Sequence, residues 1–123
     1  MSRTTIELYR GDDEECTVRV FEKQNDNSIK PYDLSNVARL DLYAVSNDEP
    51  VIRLSSTTGD IDILDAKGGV ILVKFRHEVT QGASWNNAGY DLQTISNSGK
   101  VKTVVKNGTI ILGKDYTPSK IEN

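Results

Sequence analysis

Gly69-Val70-Ile71-Leu72-Val73-Lys74-Phe75-Arg76 decides how the chain folds. Apolar residues occur at both parities, yet Ile71, Val73 and Phe75 make an unbroken row at spacing two, which an extended strand places on one side. The row reads as the inner side of a central, buried strand. A long corner follows from His77 to Ala88, with room between Glu78 and Ser84 for a single helical turn. Gly89-Tyr90-Asp91-Leu92-Gln93 then starts a second row, Tyr90, Leu92 and Thr94, facing the first. Two inward rows joined by a corner predict two β-layers closed face to face.

The same period recurs on both sides of this pair. Ile6 and Leu8 in Thr5–Tyr9, then Cys16, Val18 and Val20 after the acidic turn Gly11–Glu15, are predicted inward residues of two strands. Lys23 to Lys30 is polar and reads as an exposed loop, with Leu34 plugging the sandwich end. Ala38, Leu40, Leu42 and Ala44 alternate with Arg39, Asp41 and Tyr43, a pattern a helix would scatter. Ser46–Pro50 is a predicted turn, Ile52 and Leu54 mark a short strand, and Gly59 breaks the chain before Ile61 and Ile63. Ser96-Asn97-Ser98-Gly99 and Asn107-Gly108 have hairpin chemistry, because Asn and Gly accept positive φ. They divide Val101–Val105 from Ile110–Leu112 in a C-terminal meander. The expected architecture is all-β, an antiparallel β-sandwich of about eight or nine short strands. It forms a single domain over residues 1–117, with a flexible tail at 118–123.

Composition bounds the function. A chain of 123 residues and 13.6 kDa removes roughly two thirds of its unfolded surface from water and holds a core without staples. With 15 basic and 18 acidic residues it carries a net charge of −3 and no basic footprint, so neither nucleic acid nor an anionic membrane is an expected partner. Cys16 is the only cysteine, which excludes an intrachain disulfide and a cysteine-built zinc cage. The polar N-terminus has no apolar core of a signal peptide, and no apolar run approaches the ~20 residues of a membrane span.

Two resemblances follow from these motifs. Asn87-Ala88-Gly89-Tyr90-Asp91-Leu92 resembles the F strand of an immunoglobulin-type sandwich, with Tyr90 in the tyrosine-corner position and Leu92 where that fold often places a cysteine. Cys16 has no partner in such an arrangement, and Trp85 lies in a corner, so the likeness is to a disulfide-free, Ig-like domain. The wider order runs from about Gly11 to Thr117. It comprises Gly11-Asp12, Pro31-x-Asp33-Leu34-Ser35, Gly69-x-Ile71-x-Val73-x-Phe75 with Val79-Thr80, Gly89-Tyr90-x-Leu92, and Gly99-x-Val101-x-Thr103 with Gly108-x-Ile110. This order is similar to small β-sandwich modules of tailed-bacteriophage virion proteins, such as the N-terminal domains of baseplate and receptor-binding proteins. Where such modules carry an apolar residue soon after Gly-Asp, this chain continues with Asp13-Glu14-Glu15. The resemblance implies a non-enzymatic structural part of a tail, baseplate, collar or capsid, made in the host bacterial cytoplasm and assembled into the virion. It also implies contact with other virion proteins, homo-oligomerisation in the particle, and neither cofactor nor catalytic residue.

Candidate chemistry is sparse. His77 is the sole histidine, no Gly-x-Ser-x-Gly elbow is present, and His77-Glu78 lacks the second histidine of a zincin, so His77 reads as an exposed strand-end residue. Cys16 alternates with Val18 and Val20 and reads as a small buried hydrophobe. Asp12-Asp13-Glu14-Glu15 and Asp60-x-Asp62-x-x-Asp65 resemble oxygen-ligand sets for Ca²⁺, but the glycine and distal glutamate of a calcium loop are missing, and alternation with Ile61 and Ile63 places Asp60 and Asp62 outward. Asn107-Gly108-Thr109 matches a glycosylation sequon and reads as a turn, while Lys100, Lys102 and Lys106 read as outward charges on one hairpin. Tyr32, Tyr43 and Trp85 remain as candidate contact residues, Trp85 as either a core lid or an anchor. Two competing functions remain: a carbohydrate-binding module for host-surface glycans, which would use the same aromatics with Tyr9 added to the platform, and a small phage-encoded inhibitor of a host protein, which the surface charge leaves open.

Overall fold

In the computed structural model, which describes residues 5–113, ten strands and one α-helical turn form in chain order, with a 3₁₀ turn at Ser56–Thr58. They are β1 (Thr5–Tyr9), β2 (Glu14–Arg19), β3 (Phe21–Lys23), β4 (Ile29–Pro31), β5 (Val37–Ser46), β6 (Glu49–Ser55), β7 (Ile61–Asp65), β8 (Val70–Phe75), α1 (His77–Thr80), β9 (Asn87–Ser96) and β10 (Val101–Gly113). One layer is a five-stranded sheet ordered β1-β10-β9-β5-β6, the other a three-stranded sheet ordered β2-β8-β7, and β3-β4 form a separate pair. Pairing is antiparallel throughout except for β1, which lies parallel to β10 from Thr5↔Thr109 to Tyr9↔Gly113. This order is Ig-like in itself: β2, β8 and β7 occupy the B, E and D places, and β10, β9, β5 and β6 the G, F, C and C′ places.

The two rows that decide the fold lie where alternation puts them. Ile71, Val73 and Phe75 are at most 1 % exposed, and Tyr90, Leu92 and Thr94 at most 3 %. All but the polar Thr94 share one buried apolar cluster with Ile6, Leu8, Val18, Val20, Leu40, Leu42, Ala44 and Ile110, and Leu34 closes one end as expected. Cys16 packs half-buried against this cluster, and no disulfide is formed. At roughly 1.5–3 kcal/mol for each large aliphatic side chain withdrawn from water, this cluster supplies the main driving force.

Several local expectations are corrected. Lys23–Lys30 is not an open loop: Phe21↔Pro31 and Lys23↔Ile29 pair as a short hairpin around Asn27, whose φ is +70°. The hairpin continues β2, because the Val20 N–H donates to the Gly69 carbonyl while the Val20 carbonyl accepts from the Tyr32 N–H. Gly69 sits in that junction with φ +69°, and an added Cβ would lie 2.6 Å from the Val20 carbonyl oxygen and 2.7 Å from that of Tyr32. Only glycine fits there.

Asn107-Gly108 is not a hairpin either. β10 runs unbroken through it and stays on β9, with register shifts between Thr103 and Val105 and between Val105 and Gly108. Asn107 does take φ +58°, but as an irregularity within the strand, its N–H donating to Asp91 Oδ1 at 3.1 Å. Gly108 is required because a Cβ would come within 2.4 Å of the Tyr90 ring. The tight two-residue turn is Asn47-Asp48, both at positive φ (53° and 67°), which shortens the predicted Ser46–Pro50 turn and puts Glu49 and Pro50 into β6.

Alternation misplaces three further residues. Ala38 is exposed because β5 carries an irregularity between Val37 and Arg39. Ile63 is 39 % exposed, on an edge strand whose register shifts before Asp65. Asp60, expected outward, is only 5 % exposed: its Oδ1 accepts from the Arg76 guanidinium and its Oδ2 from the Thr58 hydroxyl, both at 2.6 Å. The acidic turn is also shorter than expected, since β2 begins at Glu14. The proposed tail at 118–123 and the end of the 1–117 domain lie outside the described residues.

Candidate contact surfaces

Alternation along β5 buries Leu40, Leu42 and Ala44 and turns Arg39, Asp41, Tyr43 and Val45 to the outer face of the five-stranded sheet. The register Tyr43↔Arg53 on β6 puts the Arg53 guanidinium 5.4 Å from the centre of the Tyr43 ring, within cation–π reach. A hollow of about 370 Å³ lies on one side of Tyr43, lined by Val45, Pro50, Val51 and Arg53. A second of about 240 Å³ lies on the other, lined by Gly89, Asp91 and Asn107. Val45, 43 % exposed, borders both. Beside them Asp41 is 3 % exposed although it faces outward, held by Arg39 Nε at 3.0 Å between Gln93 and Ser55 on the flanking strands.

Tyr32 occupies a different place. It precedes β5 at the end of the sandwich where β10 has lost its β1 partner, and the Lys102 ammonium stands 5.4 Å from its ring centre. Lys102 pairs with Thr94, a buried inward residue, so Lys102 is an inward position at the mouth of the two layers. The expectation of an outward charge is corrected: the two one-residue register shifts farther along β10 cancel, so Lys102 shares the inward parity of Gly108 and Ile110.

Trp85 lies at the other end, in the corner between α1 and β9, half-buried and packed against the core. The Arg10 guanidinium crosses beneath the corner and donates to the carbonyls of Ala83 and Trp85, each at 3.1 Å, and to Asn86 Oδ1 at 3.4 Å. The Leu112 N–H donates to the Asn86 carbonyl at 2.8 Å, which ties the corner to β10. Trp85 thus has the surroundings of a lid. The three candidate aromatics are not brought together; two of them are joined to cations, Tyr43 to Arg53, which no sequence pattern marked, and Tyr32 to Lys102, expected only as an outward charge.

The groups with chemical potential are engaged structurally. His77 is exposed at the start of α1, where its N–H and ring Nδ1 meet Asp13 Oδ1 at 2.7 and 2.9 Å. The hydrogen bond to Asp13, and then its charge, raise the His77 pKa, while the His77 N–H and ring lower that of Asp13. Burial, and then the Glu14 charge, push the Cys16 thiol up. Of the calcium-like sets, Asp13 is bonded to His77, Asp60 to Arg76, Asp62 to Lys74 at 2.9 Å, and Asp65 Oδ1 accepts the Gly68 N–H at 3.1 Å. Among the described residues no three His, Cys, Asp or Glu side chains converge as a metal set, and no described helix is long and apolar enough to cross a membrane.

No family model and no curated protein matches the chain. Among solved structures, the first Ig-like domain of human CD48 antigen aligns over 99 % of this chain and 93 % of its own, at 12 % identity and a TM-score of 0.35. The Ig-like assignment rests on the strand order described above.

Proposed function

We propose that this chain is a non-enzymatic module of a tailed-bacteriophage particle that works by protein–protein contact through the outer face of its five-stranded sheet. The observation that carries the reading is Tyr43: an aromatic ring backed by a guanidinium, set between two hollows on a sheet whose other side is fixed by a buried core. Tyr and Arg are the side chains in which interface energy concentrates, and a preformed surface loses little entropy on binding. The face is a better contact than its edge, because Pro50 removes a donor from β6 and the shift between Ala44 and Val45 distorts the pairing there. The order of glycines and apolar rows from Gly11 to Thr117, similar to phage virion sandwiches, supplies the particle. A symmetric virion would present several copies, each using the same face against neighbouring virion proteins.

The test is mass spectrometry of purified particles produced by a phage that encodes this chain, with the chain wild type or Tyr43→Ala. A fixed copy number that falls at least severalfold in the variant supports the reading. Absence of the chain from purified particles, with the protein abundant in the infected cell, overturns it in favour of a regulatory role.

A further inference from the structure

The mouth of the sandwich holds a cleft of about 470 Å³, within the ~300–1,000 Å³ range of small-ligand sites. Its floor is Val37, Thr94 and the Tyr32 ring, and its rim carries Asn36, Asn97, Ser96, Ser98, Lys100 and Lys102. Two features set it apart from an ordinary loop gap. Lys102 stands on the inward row of β10 that Val105, Gly108 and Ile110 continue, where burial favours an apolar residue, and its ammonium is steered over Tyr32. Among the described residues neither Lys100 nor Lys102 has a carboxylate at ion-pair distance. The one acid on the rim, Asp33, accepts the Ser35 N–H at 2.9 Å and lies in the fields of Lys67 and Lys30. The cleft is therefore locally positive on a chain of net charge −3.

We infer that this cleft binds an acidic saccharide, a sugar bearing a carboxylate. The two ammonium groups meet the carboxylate; the Asn36 and Asn97 amides and the Ser98 hydroxyl, lining the same cleft, offer donors and acceptors to the ring hydroxyls; Val37, Thr94 and Tyr32 take the C–H face of the sugar. An inward lysine also discourages pairing at an open strand edge, but that role asks nothing of Asn36, Asn97 or the cleft itself. The inference stands apart from the Tyr43 face, which lies on the other side of the five-stranded sheet.

The experiment is a titration of the isotope-labelled chain, followed through its backbone amide shifts, with 3′-sialyllactose and tri-galacturonate as acidic probes and lactose and inorganic phosphate as comparisons. Saturable shifts at Asn36, Asn97, Ser98, Lys100 and Lys102 are expected from at least one acidic probe, weakening as salt is added. Lactose should bind roughly tenfold more weakly or worse. Lys102→Ala should lose about tenfold in affinity, while Lys102→Arg and Lys106→Ala hold it. The variant's own amide spectrum reports that it is folded. No saturable shift from either acidic probe, equal binding of lactose, the same shifts from phosphate alone, or full affinity in folded Lys102→Ala would each overturn the inference.

Discussion

The two ends of the sandwich are built to opposite specifications. At the corner end, side chains take up groups that the turning chain leaves open: Arg10 spans three acceptors, the Gly11 N–H donates to the buried Thr80 hydroxyl at 2.9 Å, and Asp13 receives both the N–H and the ring of His77. At the mouth end, β10 is held by β9 alone, two irregularities loosen its register, and a charge occupies the inner row. The corner end ties its cation and its acid into hydrogen bonds, whereas at the mouth end neither Lys100 nor Lys102 has a carboxylate at ion-pair distance among the described residues. The proposed contacts accordingly lie at the mouth and on the Tyr43 face, while Trp85 has the surroundings of a core lid.

Four changes break or sharpen that contrast. Gly69→Ala should act most strongly: it sets a Cβ against two backbone carbonyls at positive φ, at the one firm joint of the mouth end, and should cost about 3 kcal/mol or more in urea unfolding. Trp85→Ala should cost about 2 kcal/mol, below the value for a fully buried indole, and leave particle incorporation at the wild-type level. A loss of incorporation with unchanged stability would make Trp85 an anchor. Lys102→Val should raise stability by less than ~1 kcal/mol while promoting self-association in sedimentation, because it removes the charge from an open edge.

The smallest effect is the pH dependence of the His77–Asp13 pair, exposed on both sides. His77 holds its proton more tightly when folded, so its contribution is complete below its ordinary value of 6.5 and is lost as pH rises through the raised value. Asp13 has a lowered pKa, so its contribution is present above its ordinary value of 3.8 and is lost as pH falls through the lowered one. Both operate together between these limits. An imidazole titration by NMR should give a His77 midpoint above 6.5 that returns towards it in Asp13→Asn.

What could be read from the residues follows the reach of each signal. Spacing-two rows such as Ile71-Val73-Phe75 report one strand's own period, and they placed both layers and most of the core. Asn107-Gly108 reports only a demand for unusual backbone; whether that demand ends a strand or kinks it depends on the Tyr90 ring across the pair, which no local pattern reveals. Asp60 is buried beside Arg76, sixteen residues away in the chain, and Lys102 faces inward because two one-residue register shifts farther along its strand cancel and restore the parity of Gly108 and Ile110. The hairpin at Phe21–Pro31 escaped because its apolar residues, Phe21 and Ile29, are exposed and lack a buried partner row. Tyr32 and Tyr43 were visible as aromatics, but their cations became so only once pairing brought β10 and β6 alongside.

The most direct measurement is amide hydrogen exchange of the chain inside the assembled particle against the chain alone. Exchange should slow in the particle over the outer-face segments around Tyr43 and Arg53 and stay unchanged at Ala83–Asn86. Slowing at the Trp85 corner with the Tyr43 segments unchanged would contradict the account.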